Sequence, residues 1–543
     1  MKFLLTIALL LPLTLLGQGT FSRVYDIMQL HCVSCHNPDS LKGNLDLMGV
    51  GATDVARRAD VYANLVQVNP SNAGALAKGD KLVYKGRADR SFLFRKLNDG
   101  LEPTLSLSAN EGDIMTGTYP TMSPTEKELV RQWVLFGAPQ TGTVVDEQLI
   151  ESYYSGNGLE SFPAGPPSAP AVGDGFQIKM GPFFLPPGGE IEYYQKYELA
   201  MPAEVEVARL DMRMSPYSHH YIVYHFTSVA GANVIPAGLR LNSYHNDIAL
   251  TAAIQESTDL QLPSGAAFKW PANRILDLNS HVINYSQTMV YKAETYTNVY
   301  TQTVGTAAQE MFSTLEANGN IYIPNNSNMD TETATYTYPP INDVFVWGLM
   351  GHTHKYGKGY KIFKRTPQGT QGDLLYDGSC PQGTPGCSAP EFDYQHIPLK
   401  LYPEFVNINM DYGFVHEAKY LNDGPEPVTF GPTSDDEMMV MIVFYMLDTA
   451  GVSGVVSDVT APMLSSEVSV LPNPVSDYIH LTTPLTTGEF SLFSSTGQCV
   501  LKQITRSELT YIATGDLVPS LYIYQWRDAA TGRVSTGKVV VQR

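Results

Sequence analysis

Apolar and polar residues alternate with a period of two through most of the middle and end of the chain. Runs such as VFVWGLMGHTH (344–354) and MMVMIVFYML (438–447) are short and bounded by turn residues. That pattern predicts strands across about 176–450, arranged as one or two β-sandwiches. The period changes near the start. Residues 20–140 mix helical spacing with loops, and SPTEKELVRQWVLF predicts a helix over 123–136, with Ser123 as cap and Glu126 three residues on. Residues 141–175 are rich in Pro, Gly and Ser and read as a linker, and 451–467 read as a second. From VSVLPNPVSDYIHL to GKVVVQR, residues 468–543 form a small all-β unit.

The first 19 residues have the form of a signal peptide: Lys2, an apolar run Phe3 to Leu16, and small residues at Gly17-Gln18-Gly19. The run is short for a membrane anchor, and no other segment approaches spanning length. The expectation is an exported mature protein without a membrane span. A length of 543 residues bounds the chain at about three or four domains. Its net charge of −19 disfavours nucleic acid and anionic membrane surfaces as partners. Tyrosine is common (32) and charge sparse (16%), which leans the same way as the alternation, toward β structure.

The sequence Cys32-Val-Ser-Cys35-His36 is the attachment motif of a c-type haem: two thiols bond the porphyrin and the histidine ligates iron. Such attachment takes place outside the bacterial cytoplasm, in keeping with export. Of the other cysteines, Cys380 and Cys387 flank PQGTPG and are expected to pair in an oxidising compartment, leaving Cys499 over. With YPTMSPTEKELVRQWVLFGAP, the motif resembles small cytochrome c domains of large exported bacterial proteins, over about 22–140. That resemblance implies Met122, just before the last helix, as the sixth iron ligand. The family's Met-Pro is here Met122-Ser123-Pro124, which keeps Met115 as the substitute.

Five histidines and one methionine are spaced through the β-rich middle: His219-His220 in SPYSHHYIVYHF, His281 in LNSHVINYS, His352-Thr353-His354, and Met438. Residues i and i+2 of a strand share a face, so His352 and His354 can grip one metal. A methionine sulfur suits Cu(I) better than zinc. Adjacent His219 and His220 diverge in a regular strand and can share a metal only at a bulge or strand end, with His281 as third ligand. Two imidazole-rich sites, one with a thioether, point to redox copper. His31, His225, His245, His396, His416 and His480 are expected to be structural or exposed.

Order and local sequence resemble the copper type II ascorbate-dependent monooxygenases, the peptidylglycine- and dopamine-hydroxylating family, over about 176–450. The match rests on His-His, the single His, GHTH followed by KYGKGYKI, and Asp-Glu-Met before an apolar strand. It implies two sandwich domains, 176–295 and 296–450, each with one copper ion, facing across a solvent-filled gap. His219, His220 and His281 would hold the electron-storing copper; His352, His354 and Met438 would hold the copper that meets dioxygen. Inserting one atom of O2 into a C–H bond takes two electrons, one from each copper. Ascorbate reloads the coppers in the family, whereas the fused haem here implies an external donor acting through the cytochrome domain. Where peptide-hydroxylating relatives place a carboxylate-clamping arginine this chain has Met350, and their polar positions after the methionine are Val440 and Ile442. A peptide ending in glycine is therefore not the expected substrate; a neutral or hydrophobic small molecule is. Two alternatives are a surface haem/copper electron-transfer or binding protein without hydroxylase turnover, and a surface adhesin with a vestigial redox domain.

The C-terminal stretch, with its PNP, a Ser-Thr-Gly-Gln turn, the LYIY strand and a final Lys before an apolar strand, resembles the sorting domain of type IX secretion. Ser520 stands where that family has glycine. The resemblance implies an immunoglobulin-like sandwich, the type IX secretion machinery as partner, and delivery through the periplasm to the cell surface or beyond. The expected whole is a mainly β multidomain protein: a small helical cytochrome c domain, two copper-monooxygenase sandwiches and a terminal sandwich.

Overall fold

The computed structural model describes residues 19–543 except 116–120, 164, 216, 242–246, 339–340, 380–391, 396, 454–467 and several short stretches after 471. The signal peptide up to Gln18, the Cys380–Cys387 pair, His245 and His396 lie outside the described residues, as does most of the second linker. The chain divides into two compact units, 1–150 and 151–543. Among the described residues no helix is long and apolar enough to cross a membrane.

The first unit is helical. Helix Thr20–His31 buries Phe21, Val24, Ile27 and Met28, a helical stripe, and delivers the chain to Cys32. The helix expected over 123–136 runs Pro124–Leu135. Ser123 and Glu126 form the reciprocal cap, with proline in the first turn where its missing N–H costs nothing. The two helices meet through Phe21 stacked on Trp133, ring centroids 5.2 Å apart.

The second unit is β. A seven-stranded and a five-stranded sheet form the first sandwich, tied by Thr297 donating to the Tyr221 hydroxyl at 3.2 Å. The second pairs two four-stranded sheets over one core, with Val346, Leu349, Met441 and Val443 on one side and Tyr360, Ile362, Ala418 and Tyr420 on the other. The terminal unit has sheets of three and four strands around Ile479, Leu481, Phe490 and Trp526.

Two boundaries differ from those expected. Residue 295 falls inside strand Val290–Gln302, and Gln309–Glu310 still pairs with the first sandwich, so the second begins at Phe312. The strand holds no glycine or proline that would mark an end to it. The stretch 141–175 also holds more structure than its Pro and Gly content implies: helix Glu147–Ser152, and strand Gly158–Glu160 pairing in parallel with Val290–Lys292.

Candidate metal centre and haem site

The five histidines meet. His220 lies on strand Ser218–Phe226 and His281 on the adjacent strand Ile275–Ile283, directly opposite each other. The register then slips: Val282 faces Ser218, which makes His219 the extra residue of a bulge. The bulge turns His219 to the same side as its neighbour. Strand Asp343–His352 of the second sandwich brings His352, and the loop beyond it brings His354. Two glycines make that loop close. A Cβ on Gly351 would sit 2.3 Å from the Tyr360 ring, and one on Gly357 would sit 2.1 Å from Thr353 Oγ1.

Ring centroids are 5.2 Å apart for His219–His281, 5.1 Å for His220–His281 and 5.3 Å for His352–His354. Across the two sandwiches His219 lies 5.1 Å from His352 and 5.4 Å from His354. The nitrogens fall into two groups of three, His219/His220/His281 and His219/His352/His354, each within 4.8 Å and all buried. His219 belongs to both. The solvent-filled gap implied by the family resemblance is therefore not what the rings display; they are in contact, because the ligand-bearing faces of the two sandwiches lie directly against each other.

Strand parity separates two faces of the second sandwich. In the second sandwich Leu349, Met439, Met441 and Val443 point into its own core. The alternate residues Met350, Val440 and Ile442 are buried but outside that core, on the face that carries His352, and Met438, two residues before the strand Val440–Met446, is likewise buried outside it. Val440 is the cross-strand partner of His352, and Ile442 that of Met350. Met350, Val440 and Ile442 are thus buried apolar side chains on the His352 face.

Carboxylates back the imidazoles, and sequence reading gave them no role. His220 Nε2 lies 3.3 Å from Glu192 Oε1 and 3.0 Å from Asn279 Oδ1. His281 Nε2 lies 2.7 Å from Glu190 Oε1, and His354 Nδ1 3.2 Å from the Asp436 carbonyl. These oxygens only accept, so those ring nitrogens carry the protons. That leaves lone pairs on His220 Nδ1, His281 Nδ1 and His354 Nε2, which are buried without hydrogen-bond partners among the described residues; so are His352 Nε2 and both nitrogens of His219, a ring that in its neutral form offers one lone pair and one N–H. Orienting a histidine by hydrogen-bonding its other nitrogen is the usual support of a metal ligand. The signal for the carboxylates was Glu190-Ile-Glu192, an i, i+2 pair on strand Glu190–Glu198, but its partners could not be read without the sheet register.

Burial and neighbouring imidazoles push His219 and His352 well below the usual imidazole range. Burial also lowers His220, despite Glu192, and brings His354 to about 3. Burial opposes ionisation of Glu190, yet the His281 ring and Ser434 hold its carboxyl at about 2. Glu437 is the reverse: burial lifts it to about 7 although its oxygens accept backbone amides. Oε2 takes those of His354 (2.8 Å) and Met438 (3.1 Å), and Oε1 that of Tyr356 (2.7 Å).

The depressed histidines set a pH dependence. The unfolded chain protonates near pH 6.5, while folded His354 does so only near 3. Between those values the unfolded state binds more protons, so stability is full above 6.5 and lost as pH falls. His225, bonded to Thr251, and His416, bonded to Tyr360, are both lowered to about 4 by burial and add to the same trend. Glu437 works the other way between pH 7 and 4.5, because its raised carboxyl binds a proton in the folded state first. The several histidines outweigh it, and urea midpoints of metal-free protein are expected to be clearly lower at pH 3 than at pH 6.5; a flat profile would contradict neutral buried rings.

In the first unit, Cys32 closes helix Thr20–His31, and Cys35 and His36 follow in the next turn, their amides donating to the Cys32 carbonyl at 3.1 and 3.0 Å. Both thiols are free and half-buried, and burial beside Cys35 pushes Cys32 up to about 11. His36 Nδ1 is buried without a hydrogen-bond partner among the described residues. These groups fit a thioether-linked haem. Met122 is 3% exposed and Met115 38%. With haem attached, Met122→Ala is expected to lower the reduction potential by on the order of 100 mV, within the ~0.8 V that axial ligands span. Met115→Ala should leave it unchanged; potentiometric titration decides between them.

No known protein family matches the chain, and no curated protein matches it. Among solved structures it is similar to PorZ, a surface component of the type IX secretion system of Porphyromonas gingivalis, at 15% identity and a TM-score of 0.15; the match covers 19% of this chain and 14% of PorZ. It is also similar to a β-glucuronidase from Ruminococcus gnavus, at 8% identity and a TM-score of 0.11, over 40% of this chain and 34% of that one. The chain thus spans well under half of either protein, and likenesses at these scores carry no argument about function.

Proposed function

We propose that this chain is an exported haem–copper monooxygenase that inserts one atom of O2 into a C–H bond of a neutral or hydrophobic small molecule. The observation that carries the reading is the convergence of five buried imidazoles from two sandwiches, with their unpartnered nitrogens turned to one cluster. Neutral imidazoles with oriented lone pairs fit copper, and the buried Met438 thioether fits its cuprous state. Bound there, two copper ions would supply the two electrons that the reaction needs and a place for O2.

The chain's own residues do the rest. Glu190, Glu192 and the Asp436 carbonyl hold the protons on the outward ring nitrogens of His281, His220 and His354. Glu437 fixes the backbone of His354 and Met438 with one oxygen, so the two ligand segments move together. Met350, Val440 and Ile442 exclude water and offer a substrate no charge to pair with. Cys32, Cys35 and His36 would hold a haem that passes single electrons from an external donor. The terminal sandwich fits a sorting role in type IX secretion, and hence a location at the cell surface or outside it.

The alternative, haem/copper electron transfer or binding without hydroxylation, draws support from the contact between the rings. A closed cluster leaves little room for a substrate between the two groups. The test is oxygen uptake by protein carrying both metals, with a one-electron donor and a panel of apolar compounds. Monooxygenation predicts one hydroxylated product per O2; rapid metal reduction and reoxidation with no product on any compound favours the alternative.

A further inference from the structure

Glu190 touches both halves of the candidate centre. It opens strand Glu190–Glu198 of the first sandwich. Its Oε1 lies 2.7 Å from His281 Nε2 and also accepts the Ser434 amide at 2.8 Å, while Oε2 accepts the Ser434 hydroxyl at 2.6 Å. Ser434 belongs to the second sandwich, on the loop 431–437. That loop also supplies the Asp436 carbonyl to His354 Nδ1 and the Glu437 carboxylate to the amides of His354 and Met438. One carboxylate therefore orients a ligand of the first histidine group and pins the loop that orients the second.

We propose that Glu190 is a positioning residue that latches the two sandwiches together and sets the separation of the two histidine groups. The inference rests on the metal-binding reading for its purpose, but not for its existence as a latch. Two carboxylate oxygens meeting one serine through both its amide and its hydroxyl form a two-point clamp, which resists rotation as well as separation. Charge-assisted bonds of this kind are also the stronger ones. Other contacts cross between the sandwiches, such as Ser313 donating to the Leu250 carbonyl at 3.0 Å. That bond lies on the strand beginning at Phe312, away from the ligands, so it can keep the sandwiches joined while the ligand loops part.

Glu190→Ala and Ser434→Ala, made in the full chain, test the latch in two ways. Amide hydrogen exchange of loop 431–437 in metal-free protein is expected to quicken by about tenfold or more in the first variant, the loss of a charge-assisted bond, and by several-fold in the second. With copper loaded, the magnetic coupling between two Cu(II) ions should weaken in both variants while the copper count stays at the wild-type value. If Glu190→Ala does not fold, Ser434→Ala decides, since it removes only the hydroxyl half of the clamp. Wild-type protection of the loop, together with wild-type coupling, would overturn the proposal. A wild-type chain that takes up no copper would sink the monooxygenase reading instead, and the exchange measurement would still decide the latch.

Discussion

Replacing His219 by alanine is expected to remove tight copper binding from both histidine groups at once. His219 is the residue common to the two sets, and neither of its ring nitrogens has a partner among the described residues. Without it, the first group keeps only His220 and His281, and the second keeps His352 and His354 with no third imidazole, leaving only the Met438 thioether to complete it. Loss of a supporting residue around a metal typically costs ~10–100-fold in affinity, so loss of a direct ligand should exceed about 100-fold at each group. Other single changes should be local. His220→Ala leaves His219, His352 and His354 intact, and His352→Ala leaves His219, His220 and His281 intact. Competition titrations against a copper chelator separate the cases. If His219→Ala weakens only one group, the sharing drawn from the ring distances is wrong.

Removing the Glu437 side chain should give the largest loss of order. Its carboxyl is fully buried and accepts the amides of His354, Tyr356 and Met438. Each buried donor left unpaired costs about 1–3 kcal/mol, so three orphaned amides put the total above ~3 kcal/mol. That is a large share of the ~5–15 kcal/mol that holds a typical domain together. Glu437→Ala is therefore expected to free residues 353–357 and 437–439, with a large rise in their hydrogen exchange and loss of copper from the His352/His354 group. Glu437→Gln keeps the volume and one accepting oxygen, and should do less than half the damage. Exchange in those segments unchanged by Glu437→Ala would show that the loop is held by something else.

Much of the site was legible in the sequence because its signals are local. The Cys32-Val-Ser-Cys35-His36 spacing, the Ser123/Glu126 cap and the two-residue period of the strands each fix one piece of structure within a turn or two. Even the bulge at His219 is one of the two arrangements in which adjacent histidines on a strand can turn to one side. What escaped depends on long-range pairing. Glu190 meets His281 across 91 residues and Ser434 across 244, and no short pattern announces either. The boundary expected near 295 falls inside strand Val290–Gln302, which holds no glycine or proline to mark a change of sandwich. Strand Gly158–Glu160 escaped because its pairing comes from Val290–Lys292, not from its own propensity. Contact between the histidine groups was beyond reach for a related reason: ligand identity says which rings can share a metal, not how two sandwiches abut.

The central claim is that imidazoles from both sandwiches build one copper-binding centre. Copper content of the purified full-length protein, counted after weakly held metal is stripped, tests it most directly. The account predicts two copper ions per chain, falling to one in His220→Ala or His352→Ala and to none in His219→Ala. A wild-type chain that retains no more copper than a variant lacking all five imidazoles contradicts it.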